Sequence, residues 1–299
     1  MQQKQLGHTL ALLANVFFGI NFIVVKLLVP SALAPFALNI IRVIGALVLF
    51  GFVAAALPKG YFKPIQKQHW PRLVVAALCG ITVNQLLFVK GLSITTATHG
   101  SLLMLVTPVF ITLMAVFFLK EKLHSGSWLG LFIALSGAVA LVLHKNKGTE
   151  QLPNMWLGDV LVLANAIVYS FYFITIKPLM AVYSPFQIII MVFALGGIAM
   201  LPFCVQSLWQ TQFGILTAVQ WWQVGTIILL GTFGAYVCNV FSVQLIGAAA
   251  TSGYIYTQPI FATVLAAYTL GESLQAYTVI ASACIFGGVF LMNWFKRPR

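Results

Sequence analysis

Residues 1–145 and 155–299 read as two versions of one segment, set end to end at a constant shift of 151. Pro108 falls opposite Pro259 and Glu121 opposite Glu272, while Gly80, Ser101, Thr112 and Gly137 fall opposite Gly231, Ser252, Thr263 and Gly288. Leu6-Gly7 matches Leu157-Gly158, and Lys26 matches Lys177. Proline and glutamate are scarce in the chain, so a register shared at both carries weight. The match runs without a gap from Gly80 to Gly137. Each half holds five apolar runs near the ~20 residues that a membrane-spanning helix needs. They lie near 7–28, 34–56, 71–91, 97–119, 127–144, 157–178, 185–206, 222–244, 248–270 and 275–295. Five is odd, so the second half must enter the membrane from the opposite side. The expected fold is an all-α integral membrane protein of ten transmembrane helices in two inverted five-helix repeats, a common build of secondary transporters.

Composition excludes a water-soluble alternative. The chain is 61% hydrophobic and 7% charged, whereas soluble domains carry about a quarter charged residues. The formal net charge of +12 then belongs to loops facing anionic lipid headgroups, not to a nucleic-acid footprint. Cys79, Cys204, Cys238 and Cys284 lie in apolar runs without a CxxC pair and read as packing residues. The first apolar run is too long for a signal peptide and matches the run from Leu157, so it reads as part of the folded protein.

Trp70, Trp128, Trp156, Trp209, Trp221, Trp222 and Trp294 fall near predicted span ends, as interfacial residues do. Basic residues set the orientation. Lys4, Lys59, Lys63, Lys67, Arg72, Lys120, Lys122, Lys177, Lys296, Arg297 and Arg299 collect on one side, and Lys26, Lys90, Lys145 and Lys147 on the other. Both termini are therefore expected in the cytoplasm.

Pro108 and Pro259 sit near the middle of spans 4 and 9. Proline donates no hydrogen bond to the carbonyl four residues earlier, so the Met104 and Ile255 carbonyls are candidates to be free at depth. We read the pair as helix kinks lining a central path, because free polar groups at depth need protein or a wet cavity. Buried polar side chains should likewise face one another or water. Asn15, Asn21, Asn84, Gln85, Thr98, His99, Ser101 and Thr107 lie in spans 1, 3 and 4. Asn165, Tyr169, Tyr172, Tyr236, Asn239, Thr251, Tyr254, Tyr256 and Gln258 lie in spans 6, 8 and 9. The substrate-cavity candidates are Asn15, Asn21, Asn84, His99, Thr107, Tyr169, Tyr172, Tyr236, Asn239, Tyr254 and Gln258. Thr251, Tyr254 and Gln258 are spaced to share a helix face, opposite Gly100, Leu103 and Thr107 in the first half.

His99 is the only imidazole well inside a predicted span. It could bind substrate and couple transport to protonation, or join helices near the span end. Ala250 replaces it in the second half. Arg42 is the one permanent charge inside a span, and we read it as snorkelling toward the outer interface; the alternative is attraction of an anionic group. The acids are Glu121, Glu150, Asp159 and Glu272. None lies deep in a span, so a midplane carboxylate site for protons or sodium has no candidate. Glu121 and Glu272 read as structural, pairing with basic residues or capping the next helix. Small residues at Gly126, Gly130, Ser136 to Ala138, Ala283, Gly287 and Gly288 allow close helix contact, within the chain or in a homodimer.

Two five-helix halves, a proline in spans 4 and 9, and a glutamate after each resemble the drug/metabolite transporter superfamily, EamA type. The run from Ala97 to Gly137, with Pro108, Glu121, Gly130 and Gly137, resembles the family's half-repeat signature, as does Arg42 within Asn39-Ile-Ile-Arg-Val-Ile-Gly-Ala. The second half departs from it where Phe193 stands opposite Arg42. The resemblance implies a permease of the bacterial inner membrane, often an exporter, with a central cavity between spans 1, 3, 4, 6, 8 and 9.

The leading reading is a secondary transporter of small organic solutes such as amino acids or related metabolites, working by alternating access. A channel-like facilitator and a non-transporting membrane scaffold stay open. No HExxH, GxSxG or GK[ST] loop occurs, so neither catalysis, a metal nor a cofactor is expected. The expected partners are a small-molecule substrate and the lipid bilayer.

Overall fold

A computed structural model describes residues 2–29, 31–58, 60–120, 123–143, 154–247, 251, 253–272 and 275–295. Glu121, Glu150, Ala250, Ser252, Lys59, Lys122, Lys145, Lys147, Lys296, Arg297 and Arg299 lie outside them. The described residues form helices and connecting turns, with no strand among them. The first half contains α1 (Gln2–Leu28), α2 (Pro35–Ala55), α3 (Trp70–Ala77), α4 (Val83–Ile94), α5 (Ala97–Met104), α6 (Thr107–Leu119) and α7 (Ser125–Leu143). The second contains α8 (Met155–Met180), α9 (Pro185–Gln210), α10 (Ala218–Thr226), α11 (Ala235–Ile246), α12 (Gln258–Leu270) and α13 (Ala276–Trp294). Eight helical segments are long and apolar enough to cross a membrane, with α3–α4, α5–α6 and α10–α11 each counting as one. Of the ten expected runs, the remaining two are shorter. α12 is preceded by a 3-10 segment, Gly253–Thr257, and Ala276–Met292 is a shorter apolar helix.

The surface is inverted relative to a soluble protein. Phe52, Phe117, Phe132 and Phe203 are exposed, while Asn39, Arg42, Asp159 and Asn165 are buried. That arrangement suits hydrocarbon outside and polar contacts inside.

Helix packing follows the sequence shift. α1 lies against α11 and α12, and its counterpart α8 lies against α4 and α6. α2 packs on α9, and α7 on α13. A wider π turn joins α3 to α4 at Leu78–Thr82, and another joins α10 to α11 at Ile227–Gly234. Each contains one of the matched glycines, and each glycine admits a close neighbour. A Cβ on Gly80 would lie 2.5 Å from the Tyr172 ring, and a Cβ on Gly231 would lie 2.5 Å from Asn21 Oδ1. Tyr172 and Asn21 occupy matched positions of α8 and α1, so the same contact is made in both halves by different side chains.

The two prolines do not kink continuous helices. Pro108 sits in the first turn of α6, after a break at Leu105 and Val106, whose amides bond back to Leu102 and Leu103 at 3.1 Å each. Pro259 sits in the first turn of α12. A first-turn position tolerates proline, because its missing N–H would have no partner within the helix. Nor is the Met104 carbonyl free: it accepts from Thr107 Oγ1 at 2.6 Å.

The small-residue stripes are largely consumed inside the chain. Gly130 and Gly288 bring α7 and α13 into backbone contact, and Gly137 packs on Ala281 and Cys284. A Cβ on Gly130 would strike the Met292 amide and the Gly288 carbonyl, whereas one on Gly287 would meet nothing within 4 Å. Gly130→Ala should therefore destabilise the protein by about 1–3 kcal/mol, while Gly287→Ala leaves it unchanged. Thermal unfolding in detergent checks this, and equal midpoints for the two variants would refute the α7–α13 packing.

Candidate functional site

A cavity of about 80 Å³ lies among α1, α2, α4, α5, α8, α11 and α12. Its wall comprises Phe18, Asn21, Phe22, Arg42, Asn84, Gln85, Phe88, Met104, Asn165, Tyr169, Tyr236 and Gln258. Helical spacing explains the choice of residues. Phe18, Asn21 and Phe22 share one face of α1, Gln85 and Phe88 are three apart on α4, and Asn165 and Tyr169 four apart on α8. The volume holds several waters but is below the ~300–1,000 Å³ of small-molecule sites. A solute would need the wall to widen.

Arg42 is 2% exposed. Its Nε donates to Thr232 Oγ1 at 3.0 Å and its Nη2 lies 3.5 Å from the Gly231 carbonyl. It does not snorkel to an interface: the π turn between α10 and α11 holds it in the wall. Its Nη1 has no hydrogen-bond partner among the described residues, and neither do Asn21 Oδ1, Gln85 Oε1 and Asn165 Oδ1. Each such buried group costs about 1–3 kcal/mol unless water or a ligand meets it. No acidic side chain lines the cavity among the described residues, so its one formal charge is the guanidinium.

The structure gathers some of the expected residues here and not others. Asn21, Asn84, Tyr169, Tyr236 and Gln258 line the cavity. Asn15 stands behind it, accepting from Gln258 Nε2 at 2.8 Å and donating to the Ala11 carbonyl at 2.7 Å. Tyr172 packs beside Gly80 and stacks on Tyr169 at 5.7 Å. Thr107 closes the α5–α6 break, and its carbonyl accepts from Ser170 Oγ at 3.1 Å. Asn239 is half-buried but does not line the cavity, lying three residues beyond Tyr236, roughly 4.5 Å further along α11. Tyr254 meets His8 Nδ1 at 3.0 Å in an exposed contact. The expected stripe of Thr251, Tyr254 and Gln258 dissolves because Gly253–Thr257 is 3-10, with three residues per turn in place of 3.6. Gln85 and Asn165 were visible in the sequence as buried amides and Met104 only through its carbonyl, while Phe18, Phe22 and Phe88 were not singled out. The periodic face shared with Asn21 and Asn84 was the signal for them.

His99 belongs to a second cluster at one end of the bundle. Its Nδ1 meets Asp159 Oδ2 at 3.0 Å, and its Nε2 meets the Tyr277 hydroxyl at 3.1 Å. A carboxylate oxygen accepts, so Nδ1 is the donor, and in the neutral ring Nε2 accepts from tyrosine. Thr95 Oγ1 donates to the other Asp159 oxygen. Asp159 is 1% exposed. Close approach of Gly158 to the Gly91 carbonyl brings α8 onto α4 and covers it. Beside this cluster, Lys26 Nζ donates to the carbonyls of Leu92, Ser93 and Thr95 at the end of α4. Glu272 accepts from the Ala97 and Thr98 amides at 2.8 and 3.0 Å, at the start of α5. The cation meets a helix C-terminus and the anion a helix N-terminus, as the helix dipoles favour.

A sequence model of the EamA-like transporter family matches residues 5–143 and 156–294. The "Uncharacterized transporter YetK" of Bacillus subtilis is 24% identical, over 97% of this chain and 87% of that one. The "Uncharacterized inner membrane transporter YhbE" of Escherichia coli is 26% identical over 87% of this chain and 80% of its own. A protein of Streptantibioticus cattleyicolor named "Probable terminal-alkyne amino-acid exporter" is 27% identical over 80% of this chain and 78% of its own. A solved crystal structure, 17% identical, superimposes with a TM-score of 0.65 and covers 99% of both chains, which speaks to the fold alone.

The clamp at His99 carries a stability prediction. His99→Ala leaves Asp159 buried with only Thr95 and should cost about 3–5 kcal/mol. Adding Asp159→Ala should cost much less than its own single effect, because the pair is coupled. Additive losses in thermal unfolding would show that the two do not form a unit.

Proposed function

The chain belongs to the EamA-like transporter family, and on that premise we propose that it is a secondary transporter of small organic solutes, such as amino acids or related metabolites. The observation that carries this is the cavity, in which one arginine nitrogen, Arg42 Nη1, and three amide oxygens have no partner among the described residues. It lies between helices of both halves, where a solute bound between two rocking units would sit.

In this reading residues 1–145 and 155–299 form two inverted five-helix repeats. The contacts that recur at a shift of 151, such as Gly80 with Tyr172 and Gly231 with Asn21, support it. The cluster of His99, Asp159, Lys26 and Glu272 closes one end. The distribution of basic residues supports placing that end at the outer face and both termini in the cytoplasm, and the relative named as an inner membrane transporter supports a bacterial inner membrane. The relative named as an amino-acid exporter supports export and the solute class. The tightness of the cavity fits a closed stage of the cycle better than an open channel.

The purified protein in liposomes should catalyse saturable counterflow of at least one labelled amino acid or related metabolite. Phe88→Trp, which fills the cavity, should abolish that flux while the protein stays folded. Flux that does not saturate would favour a channel. No solute movement across a broad panel, from folded protein, would overturn the proposal.

A further inference from the structure

We propose that Arg42 is the anchor for a carboxylate on the solute, and that the oxygen of Asn165 receives its ammonium group. The inference rests on the transporter reading for the word solute, but its argument is the chemistry of the wall. Arg42 is buried, and among the described residues no acidic side chain lines the cavity beside it. Thr232 and Gly231 engage Nε and Nη2, which fixes the guanidinium plane and leaves Nη1 of this cavity-lining residue without a partner among the described residues. An anion is the group that completes it, and a planar carboxylate matches the guanidinium fork. A doubly charged phosphate would call for a second cation, and Phe193, opposite Arg42 in the repeat, is apolar and buried.

Asn165 supplies the complementary half. Its Nδ2 donates to the Asn84 carbonyl at 2.8 Å. That bond fixes the amide orientation, so the atom left without a partner is an oxygen and can only accept. Asn21 Oδ1 and Gln85 Oε1 are further unpaired acceptors on the same wall. One donor cation facing several acceptors matches a zwitterion. Phe18, Phe22, Phe88 and Met104 complete the wall and favour an apolar side chain on it.

The test compares near-isosteric probes by thermal stabilisation in neutral detergent: L-leucine and L-phenylalanine, their primary amides, and 4-methylpentanoate and 3-phenylpropionate. The wild-type protein should be stabilised most by the amino acids, less by the deaminated acids and not by the amides. Arg42→Gln should weaken amino-acid binding by about tenfold or more, as expected for loss of a charged hydrogen bond, and erase the preference for acid over amide. Asn165→Leu should keep that preference but erase the advantage of amino acid over deaminated acid. The wild-type comparison decides even where a variant fails to fold. Equal stabilisation by acids and amides, or none by any probe, overturns the proposal. Phosphatidylglycerol is the other source of an anionic group, and stabilisation by it alone would also overturn the proposal. Counterflow separates this from the transporter reading. Arg42-dependent binding without flux refutes transport and leaves the anchor. Flux of amides as fast as acids refutes the anchor and leaves transport.

Discussion

Inside hydrocarbon every polar group must find its partner within the protein, and the architecture follows from where this chain breaks that rule and repairs it. Its helices are interrupted at the α4–α5 junction, at Leu105–Val106 and at two π turns. Each interruption draws in polar groups. Lys26 takes the carbonyls at the end of α4, and Glu272 takes the amides at the start of α5. Thr107 and Ser170 serve the break before Pro108. The second π turn holds Arg42. Where the repairs are complete, the two halves are tied together. Where they are left incomplete, on Arg42, Asn21, Gln85 and Asn165, a cavity lies.

This separates scaffold from site. The scaffold repeats: glycines at matched positions admit side chains at matched positions, and α7 and α13 meet through Gly130 and Gly288. The site does not. Arg42 stands against Phe193, Asn21 against Tyr172 and Asn84 against Ala235. A duplicated frame that carried identical linings would recognise the same chemistry on both sides of its axis. The unequal linings give the cavity a positive end and an accepting wall, an asymmetry suited to an asymmetric solute.

Much of the frame was legible because it is written in residues with few alternatives. Proline at 108 and 259 and glycine at 80 and 231 mark the register of the repeat, although the prolines open helices where the sequence reading has them kink continuous ones. Apolar runs of membrane length fix the helices. The site was legible by residue type and not by direction. Tyr254 and Asn239 have the composition of cavity residues, but a 3-10 segment turns one toward His8 and helix rise carries the other past the cavity. The partners of Asp159 were not legible either: packing of Gly158 on Gly91 buries it against His99 and Thr95.

The sequence by itself determined the membrane, the family and the helical repeat, because hydropathy and backbone chemistry act locally and need no knowledge of neighbours. The tertiary structure decided which polar groups meet. It paired His99 with Asp159 and Gln258 with Asn15, and it kept Arg42 inside rather than at an interface. Those outcomes depend on close glycine packing for the first pair and on the 3-10 and π segments for Gln258 and Arg42, which composition and spacing do not reveal.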